Sequence, residues 1–285
     1  VSSFVFLGDM FLEDFNGGAE RTSQSLIDTC PLTDGPSPVA IRCSQLNSDR
    51  IAQFKDAHWI IFNFSSLSSE NKLEICKNLN YSIVEYDYKF CKYRSLELHQ
   101  RVEGVPCDCS TREENKINLA FYGLAKKIWF MSSAQKDICV KNVPSINRER
   151  VSVLSSVFSA GDLRFIDSLR DNPKEETFLI VKTESWIKNF EECVRYAKER
   201  GLKYEVVGNL PYHELLIKLS CSKGLVFLPL GADTCPRLVI EAQMMGCELV
   251  LNELVQHKDE EWFATPEMCR KHMETRHQEF WNFYE

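Results

Sequence analysis

The stretch Leu228–Asn252, LPLGADTCPRLVIEAQMMGCELVLN, decides the fold. It reads as an apolar strand over Gly224–Leu230, a loop, a helix opening on Pro236, and a second strand over Glu248–Asn252. Proline suits a first helical position, where its missing N–H would have had no partner, and Gly246 is a natural terminator. Two carboxylates, Asp233 and Glu241, flank the helix start with seven residues between them. The backbone N–H groups of Thr234–Leu238 at that helix end form an anion site. Acids on both sides of a phosphate-binding helix end suit a ligand with hydroxyls at both ends and a pyrophosphate in the middle. A nucleotide sugar has that shape.

The same alternation extends through the C-terminal half. Phe178–Lys182 (FLIVK) is a short apolar run, and residues 186–200 carry Trp186, Phe190, Cys193, Val194 and Ala197 at helical spacing, stopped by Gly201. Tyr204–Val207 reads as a strand, and His213–Ser220 as a short helix with Leu215, Leu216 and Leu219 inward. Strands alternating with helices imply right-handed βαβ units and a parallel sheet. The N-terminal half repeats the pattern more loosely. Strands are expected at Ser3–Leu7, Pro38–Arg42, Trp59–Phe64, Ser82–Tyr86, Lys127–Phe130 and Val151–Leu154, with a helix from the Gly17-Gly18 pair to about Thr29.

The fold class expected is therefore α/β, with two Rossmann-like domains facing a central cleft at the carboxyl ends of their parallel sheets, helices on both faces. The boundaries expected are 1–160 for the first domain, 161–176 for a charged, turn-rich connector, and 177–257 for the second. The aromatic-rich tail 258–285 is expected to be a packed helix lying across both.

Composition narrows the function classes. Hydrophobic residues make up 44% and charged residues 26%, ordinary values for a globular chain of 285 residues. A net charge of −7 supplies no basic field, so nucleic acid is not an expected partner. No run of about 18 apolar residues occurs, and the N-terminus has no signal-peptide pattern. Most of the twelve cysteines sit singly among apolar residues, as reduced buried thiols do, and a cytoplasmic location is expected. Cys107-Asp108-Cys109, with Cys91 upstream, lacks the paired spacing of structural zinc sites, so no metal is expected there, with zinc or a disulfide as the lesser alternative.

These residues resemble a GT-B glycosyltransferase of the large retaining group called family 4, over nearly the whole chain. Three pieces carry the resemblance. The first is Asn16-Gly17-Gly18-Ala19-Glu20-Arg21, similar to the family's loop over the donor diphosphate and transferred sugar; the alternative is a plain strand–helix turn with Glu20 as a dipole partner. The second is Lys182 with Lys188, similar to an Arg…Lys pair that neutralises the diphosphate. Lys182 stands where the family has arginine, which keeps the charge and gives up a bidentate contact. A solvated helix start is the alternative for Lys188.

The third is Asp233-x7-Glu241, similar to the family's Glu-x7-Glu. The resemblance implies that Glu241 binds ribose hydroxyls, that Asp233 contacts the transferred sugar, and that the backbone of Thr234, Cys235, Pro236, Arg237 and Leu238 lines the phosphates. A loop acid and a helix-surface residue are the alternatives. Gly208, Asn209 and Leu210 match the segment over which the family lays the nucleobase. Where many members carry a histidine at an N-terminal-domain strand tip, this chain has Asp87, a candidate for an acceptor hydroxyl or simply a strand cap. His58 and His99 read as structural.

The chemistry implied is transfer of a hexose from a nucleoside-diphosphate sugar, with retention, to a saccharide, lipid-linked or other hydroxyl acceptor. Lys182, Lys188 and the helix end would meet the charge growing on the leaving phosphate, the largest catalytic term in such sites. Asp233 and Asp87 complete the catalytic candidates; no cofactor and no metal are expected. Two other readings stay open. One is a sugar-nucleotide epimerase of the same architecture; the other is a catalytically degenerate nucleotide-sugar-binding scaffold, favoured by the Lys and Asp substitutions.

Overall fold

The computed structural model describes residues 4–31, 37–208 and 210–284. The chain divides into two compact units, Val1–Val157 with His277–Glu285, and Phe158–Arg276. Each contains one parallel β-sheet flanked by helices.

Unit 1 holds β1 (Phe4–Gly8), α1 (Gly18–Asp28), β2 (Val39–Arg42), α2 (Ser48–Gln53), β3 (His58–Ile61), α3 (Ser69–Asn78), β4 (Asn80–Glu85), α4 (Leu96–Glu103), α5 (Lys116–Leu124), β5 (Lys127–Phe130), α6 (Ser133–Asn142) and β6 (Val151–Val153). The strand order is β2-β1-β3-β4-β5-β6, all parallel. β1 and β5 are buried along their whole length, as strands covered by helices on both faces must be. Four helix starts are fixed by side-chain caps: Asn47 accepts from the Arg50 N–H, Ser68 from Asn71, Ser95 from Leu98 and Ser132 from Gln135. Each satisfies a backbone donor that the helix leaves unpaired, worth about 1 kcal/mol.

Unit 2 holds α7 (Ala160–Leu169), β7 (Phe178–Val181), α8 (Phe190–Glu199), β8 (Tyr204–Val207), α9 (Tyr212–Cys221), β9 (Gly224–Phe227), α10 (Arg237–Met244) and β10 (Glu248–Leu251). Its parallel sheet has the order β10-β9-β7-β8. Phe178, Ile180, Cys193, Ala197, Val226 and Leu228 form a core between α8 and the sheet. Each fully buried side chain of the Val, Leu, Ile or Phe kind contributes about 1.5–3 kcal/mol. α11 (Pro266–Trp281) runs out of unit 2, and the chain rejoins unit 1 at His277. There Trp281 lies edge-on to Phe4 at 5.0 Å and donates its indole N–H to Thr29 Oγ1 at 3.2 Å.

Four local expectations are corrected. β9 stops at Phe227, not Leu230: the Leu228 N–H turns to Cys193 Sγ at 3.4 Å, and Pro229 has no N–H for a ladder. Pro236 precedes α10 rather than opening it; its ψ of 113° is extended, while its carbonyl takes the N–H groups of Val239 and Ile240. The helix expected over 186–200 is broken, because Trp186–Lys188 form one 3₁₀ turn and Asn189 turns left-handed at φ 51° before α8 begins. Within the segment read as turn-rich, 160–169 is helical. Ser159 caps it, and Leu163, Ile166 and Leu169 are buried at three-residue spacing that the surrounding charges obscured.

Among the described residues no helix is long and apolar enough to cross a membrane. All twelve cysteines are unbridged.

Candidate functional site

In unit 2 the chain places β8 on one side of β7 and then β9 on the other, so the strand order reverses between β7 and β9. Loops leaving the carboxyl ends of strands at such a reversal part in opposite directions and leave a ligand crevice. The loop after β7 carries Lys182 and Lys188; the loop after β9 carries Asp233 and leads into α10.

Three bonds tie these loops together. The Leu230 N–H donates to the Ile187 carbonyl at 2.8 Å, Asn189 Nδ2 donates to the Leu228 carbonyl at 3.2 Å, and Lys188 Nζ meets Asp233 Oδ2 at 2.5 Å. The Lys188 ammonium also lies 5.0 Å from the Phe227 ring centroid. Asp233 is anchored through its backbone, its N–H donating to Leu254 O at 2.8 Å and its carbonyl accepting from Gln256 at 3.1 Å.

Lys182 is exposed at the end of β7 and makes no ion pair among the described residues. Its neighbour is Gly208, where an added Cβ would stand 3.3 Å from the Lys182 carbonyl, so glycine lets the exit of β8 pass that close. Leu210 is exposed. Asn209, expected beside the nucleobase, lies outside the described residues. Thr234, Cys235 and Pro236 are buried just before α10, and Leu238 is half-buried in its first turn.

Glu241 and Arg237 sit differently from expectation. Glu241 is 2% exposed, so it is not a helix-surface residue. Its Oε1 accepts from Tyr212 Oη at 2.6 Å and from Arg237 Nε at 3.0 Å. Arg237, expected to contribute only its backbone, reaches Asp162 Oδ2 at 2.6 Å and stacks 3.7 Å from the Phe158 ring centroid. Burial pushes the Glu241 carboxyl up against the opposing pull of Arg237 and Tyr212. Burial would likewise lower the Arg237 guanidinium, but Tyr212, Glu241 and Asp162 outweigh it and hold it charged.

Asp162, Tyr212 and Phe158 were not singled out from the sequence. The Arg237/Glu241 spacing of four was readable as a helix pair. A cation at the start of a helix, where the dipole repels it, is a further signal of a hidden acidic partner.

Unit 1 has its own reversal, between β1 and β3. Asp9, just beyond β1, accepts from the N–H groups of Ser65 and Ser66 at 2.8 and 3.0 Å. Burial would raise the Asp9 carboxyl, but these bonds and the Ser66 hydroxyl hold it below the ordinary value. Gly17 precedes α1 and Gly18 begins it, with Glu20 buried in the first turn. An added Cβ on Gly17 would come within 2.3 Å of Glu20 Oε2. Burial raises the Glu20 carboxyl and Asp9 adds to this, while Arg94 and Lys89 oppose it.

Asp87 is not an open strand-tip acid. It pairs with Lys89 Nζ at 3.0 Å and with Arg94, while Lys89 also reaches Glu85 Oε1 at 2.7 Å, and Tyr122 bonds Glu85. Burial would raise Asp87, yet Lys89 and Arg94 outweigh it and hold the carboxyl low. Gln135 Nε2 fastens the segment by donating to the carbonyls of Glu85 and Asp87 at 3.0 and 2.9 Å.

The structure thus gathers Lys182, Lys188, Gly208, Leu210, Asp233 and the start of α10 at the carboxyl edge of one sheet. Gly17, Gly18, Glu20 and Asp87 belong to the other unit. His99, read as structural in a polar segment, is fully buried on α4, and Cys91, His99, Cys107 and Cys109 bring their ligand atoms within 4.8 Å of one another. Spacing concealed this set because a helix and two loops, not a short motif, assemble it.

Several solved structures share this architecture over nearly the whole chain. Sucrose-phosphate synthase from Thermosynechococcus elongatus is 11% identical, with 100% of this chain and 98% of that one covered and a TM-score of 0.56. A UDP-forming alpha,alpha-trehalose-phosphate synthase from Burkholderia xenovorans, in complex with glucose-6-phosphate, is 8% identical, with 97% and 95% covered and a TM-score of 0.56. Anabaena Alr3699/HepE, in complex with UDP and glucose, is 9% identical, with 98% and 95% covered and a TM-score of 0.52. No family model and no curated protein sequence matches the chain. The fold is the two-Rossmann-unit GT-B architecture.

Proposed function

We propose that this protein is a retaining glycosyltransferase that takes a hexose from a nucleoside-diphosphate sugar and passes it to a hydroxyl acceptor. The observation that carries the proposal is the meeting of Lys188 and Asp233 across the β7/β9 reversal, with the exposed Lys182 on the same loop. Supporting it, HepE shares the fold and was solved with UDP and glucose.

The donor diphosphate would lie along this edge, where Lys182 and Lys188 supply positive charge and the first turn of α10 supplies its dipole. Bond cleavage leaves negative charge on the departing phosphate, and preorganised cations lower the barrier by meeting it. Lys188 would exchange part of its bond to Asp233 for the phosphate, freeing Asp233 to accept from a sugar hydroxyl. Glu241, held by Tyr212 and Arg237, would reach the ribose by yielding one of those bonds. Catalysis is proposed to be metal-independent.

A second reading is favoured by a specific observation: Lys188 and Glu241 are both paired within the fold. A chain with those charges occupied suits a donor-binding scaffold that does not turn over. Donor hydrolysis without acceptor separates the readings. A transferase releases free nucleoside diphosphate from a panel of nucleotide sugars, and Lys182→Ala cuts that rate by roughly 10²–10³-fold with donor affinity little changed. Calorimetric binding without any release, in wild type and variant alike, would leave the scaffold reading. No binding of any nucleoside diphosphate would sink both.

A further inference from the structure

We propose that Cys91, His99, Cys107 and Cys109 form a structural zinc site in unit 1, on the connection between β4 and α5. That connection runs from residue 86 to 115, with only α4 and short 3₁₀ turns inside it. Segments of this length with little regular structure need some other constraint to stay ordered. The four side chains come from three places along it. Cys91 follows β4, His99 lies on α4, and Cys107 and Cys109 follow Gly104, which ends α4 in a left-handed turn at φ 73°.

The geometry fits coordination better than hydrogen bonding. Cys91 Sγ and Cys109 Sγ stand 3.6 and 3.5 Å from the same atom, His99 Nδ1. A neutral imidazole offers one lone pair and accepts from one thiol. Cys91 Sγ also stands 3.5 Å from the Ser95 carbonyl, but a thiol is a weak donor, and hydrogen bonding gives no reason for both sulfurs to converge on one nitrogen. A tetrahedral zinc with Zn–S of about 2.3 Å and Zn–N of about 2.0–2.1 Å puts sulfur and nitrogen roughly 3.5–3.6 Å apart. Both observed separations have that value.

The other ring nitrogen agrees. His99 Nε2 is buried and has no hydrogen-bond partner among the described residues, and Asp108 Oδ1 faces it at 3.6 Å. Arg112 holds that carboxylate at 2.6 Å. A histidine giving Nδ1 to a metal keeps its proton on Nε2, and a carboxylate there orients the ring. Three thiolates and one imidazole complete a tetrahedron with no open position, the mark of a structural site. Bound zinc would fasten the segment that also carries Asp87, Lys89 and Arg94. A disulfide, by contrast, would leave a third cysteine and the buried imidazole over.

The test is metal analysis of the full chain purified from zinc-replete culture without chelator. The expected content is about one zinc per chain, released by an organomercurial reagent. Cys109→Ser and His99→Ala lose it, while Cys76→Ser, in the same unit and outside the set, retains it. Because those variants can misfold, wild-type chain is also stripped of metal under reducing conditions and titrated with cobalt(II). The expected spectrum has a thiolate-to-cobalt charge-transfer band and the intense visible bands of tetrahedral cobalt. Folded chain that carries no zinc and gives only the pale octahedral cobalt spectrum overturns the proposal. So does a native disulfide joining any two of Cys91, Cys107 and Cys109.

Discussion

Replacing Arg237 by methionine probes the buried network at the head of α10. The guanidinium is bonded to Asp162 at 2.6 Å and to Glu241 at 3.0 Å, and it stacks on Phe158. Methionine fills much of the same volume but leaves two carboxylates without their cation. The Glu241 side chain is only 3% exposed, whereas Asp162 at 15% keeps some hydration. Breaking a buried pair from one side costs about 3–5 kcal/mol. The partial hydration of Asp162 puts this case toward the lower end, about 3 kcal/mol at neutral pH. Glu241 also makes the loss pH-dependent. Its folded pKa is already raised by burial above the ordinary 4.5, and without Arg237 it rises further. A carboxyl raised on folding stabilises the fold below its unfolded pKa, and that contribution is lost as pH rises through the folded value. The deficit of Arg237→Met relative to wild type therefore shrinks in acid and grows toward alkaline pH. Adding Glu241→Leu to the same chain should recover on the order of 2 kcal/mol, the coupling expected for contacting charges. Urea unfolding followed by circular dichroism reads the total. Hydrogen exchange in peptides spanning 237–244 reads it locally, since two units need not unfold together. A loss under about 1 kcal/mol at pH 8, or one independent of pH, would show that water reaches these carboxylates and that no buried network exists.

Two glycines separate a rigid clash from a yielding one. An alanine methyl at Gly224 would fall 2.2 Å from the Glu248 carbonyl oxygen on the adjacent strand, so Gly224→Ala should cost about 3 kcal/mol or more in urea unfolding. At Gly17 the close atoms are side-chain ends, Glu20 Oε2 at 2.3 Å and the exposed Phe15 ring at 2.7 Å, rather than backbone. Gly17→Ala should therefore cost clearly less, about 1–2 kcal/mol; equal losses for the two would contradict the contacts. His257 is buried against Trp262 and Phe263, and burial pulls its pKa from 6.5 down to about 3. A depressed folded pKa means stability is present above 6.5 and is lost as pH falls toward 3, by roughly 3–6 kcal/mol for this group. His257→Phe should flatten that acid limb of the stability profile, and an unchanged limb would exonerate the residue.

The α/β alternation was legible because period and punctuation are local properties. Strands such as Tyr204–Val207 and Lys127–Phe130, and the terminating roles of Gly201 and Gly246, follow from short-range hydrophobic pattern and backbone freedom alone. α7 was hidden because its three buried apolar residues alternate with three charged ones and run into the charged stretch that follows. Asparagine is among the residues that tolerate the αL turn seen at Asn189, but the bond that holds it there runs to Leu228, 39 residues on, which no local pattern shows.

What the chain alone determined is which residues can form parallel βαβ units and which cations and acids fall at strand ends. What only the tertiary structure decided is how those charges are partnered. Lys188 meets Asp233 across loops that leave two different strands, and Arg237 meets Asp162 between two helix starts. Asp87 with Lys89 and Arg94, like His99 between two thiols, meet only as the long connection after β4 folds back on itself. A charge or thiol has the same letter whether solvated or buried. Its desolvation and its neighbours, and hence its chemistry, are set only when the chain is packed.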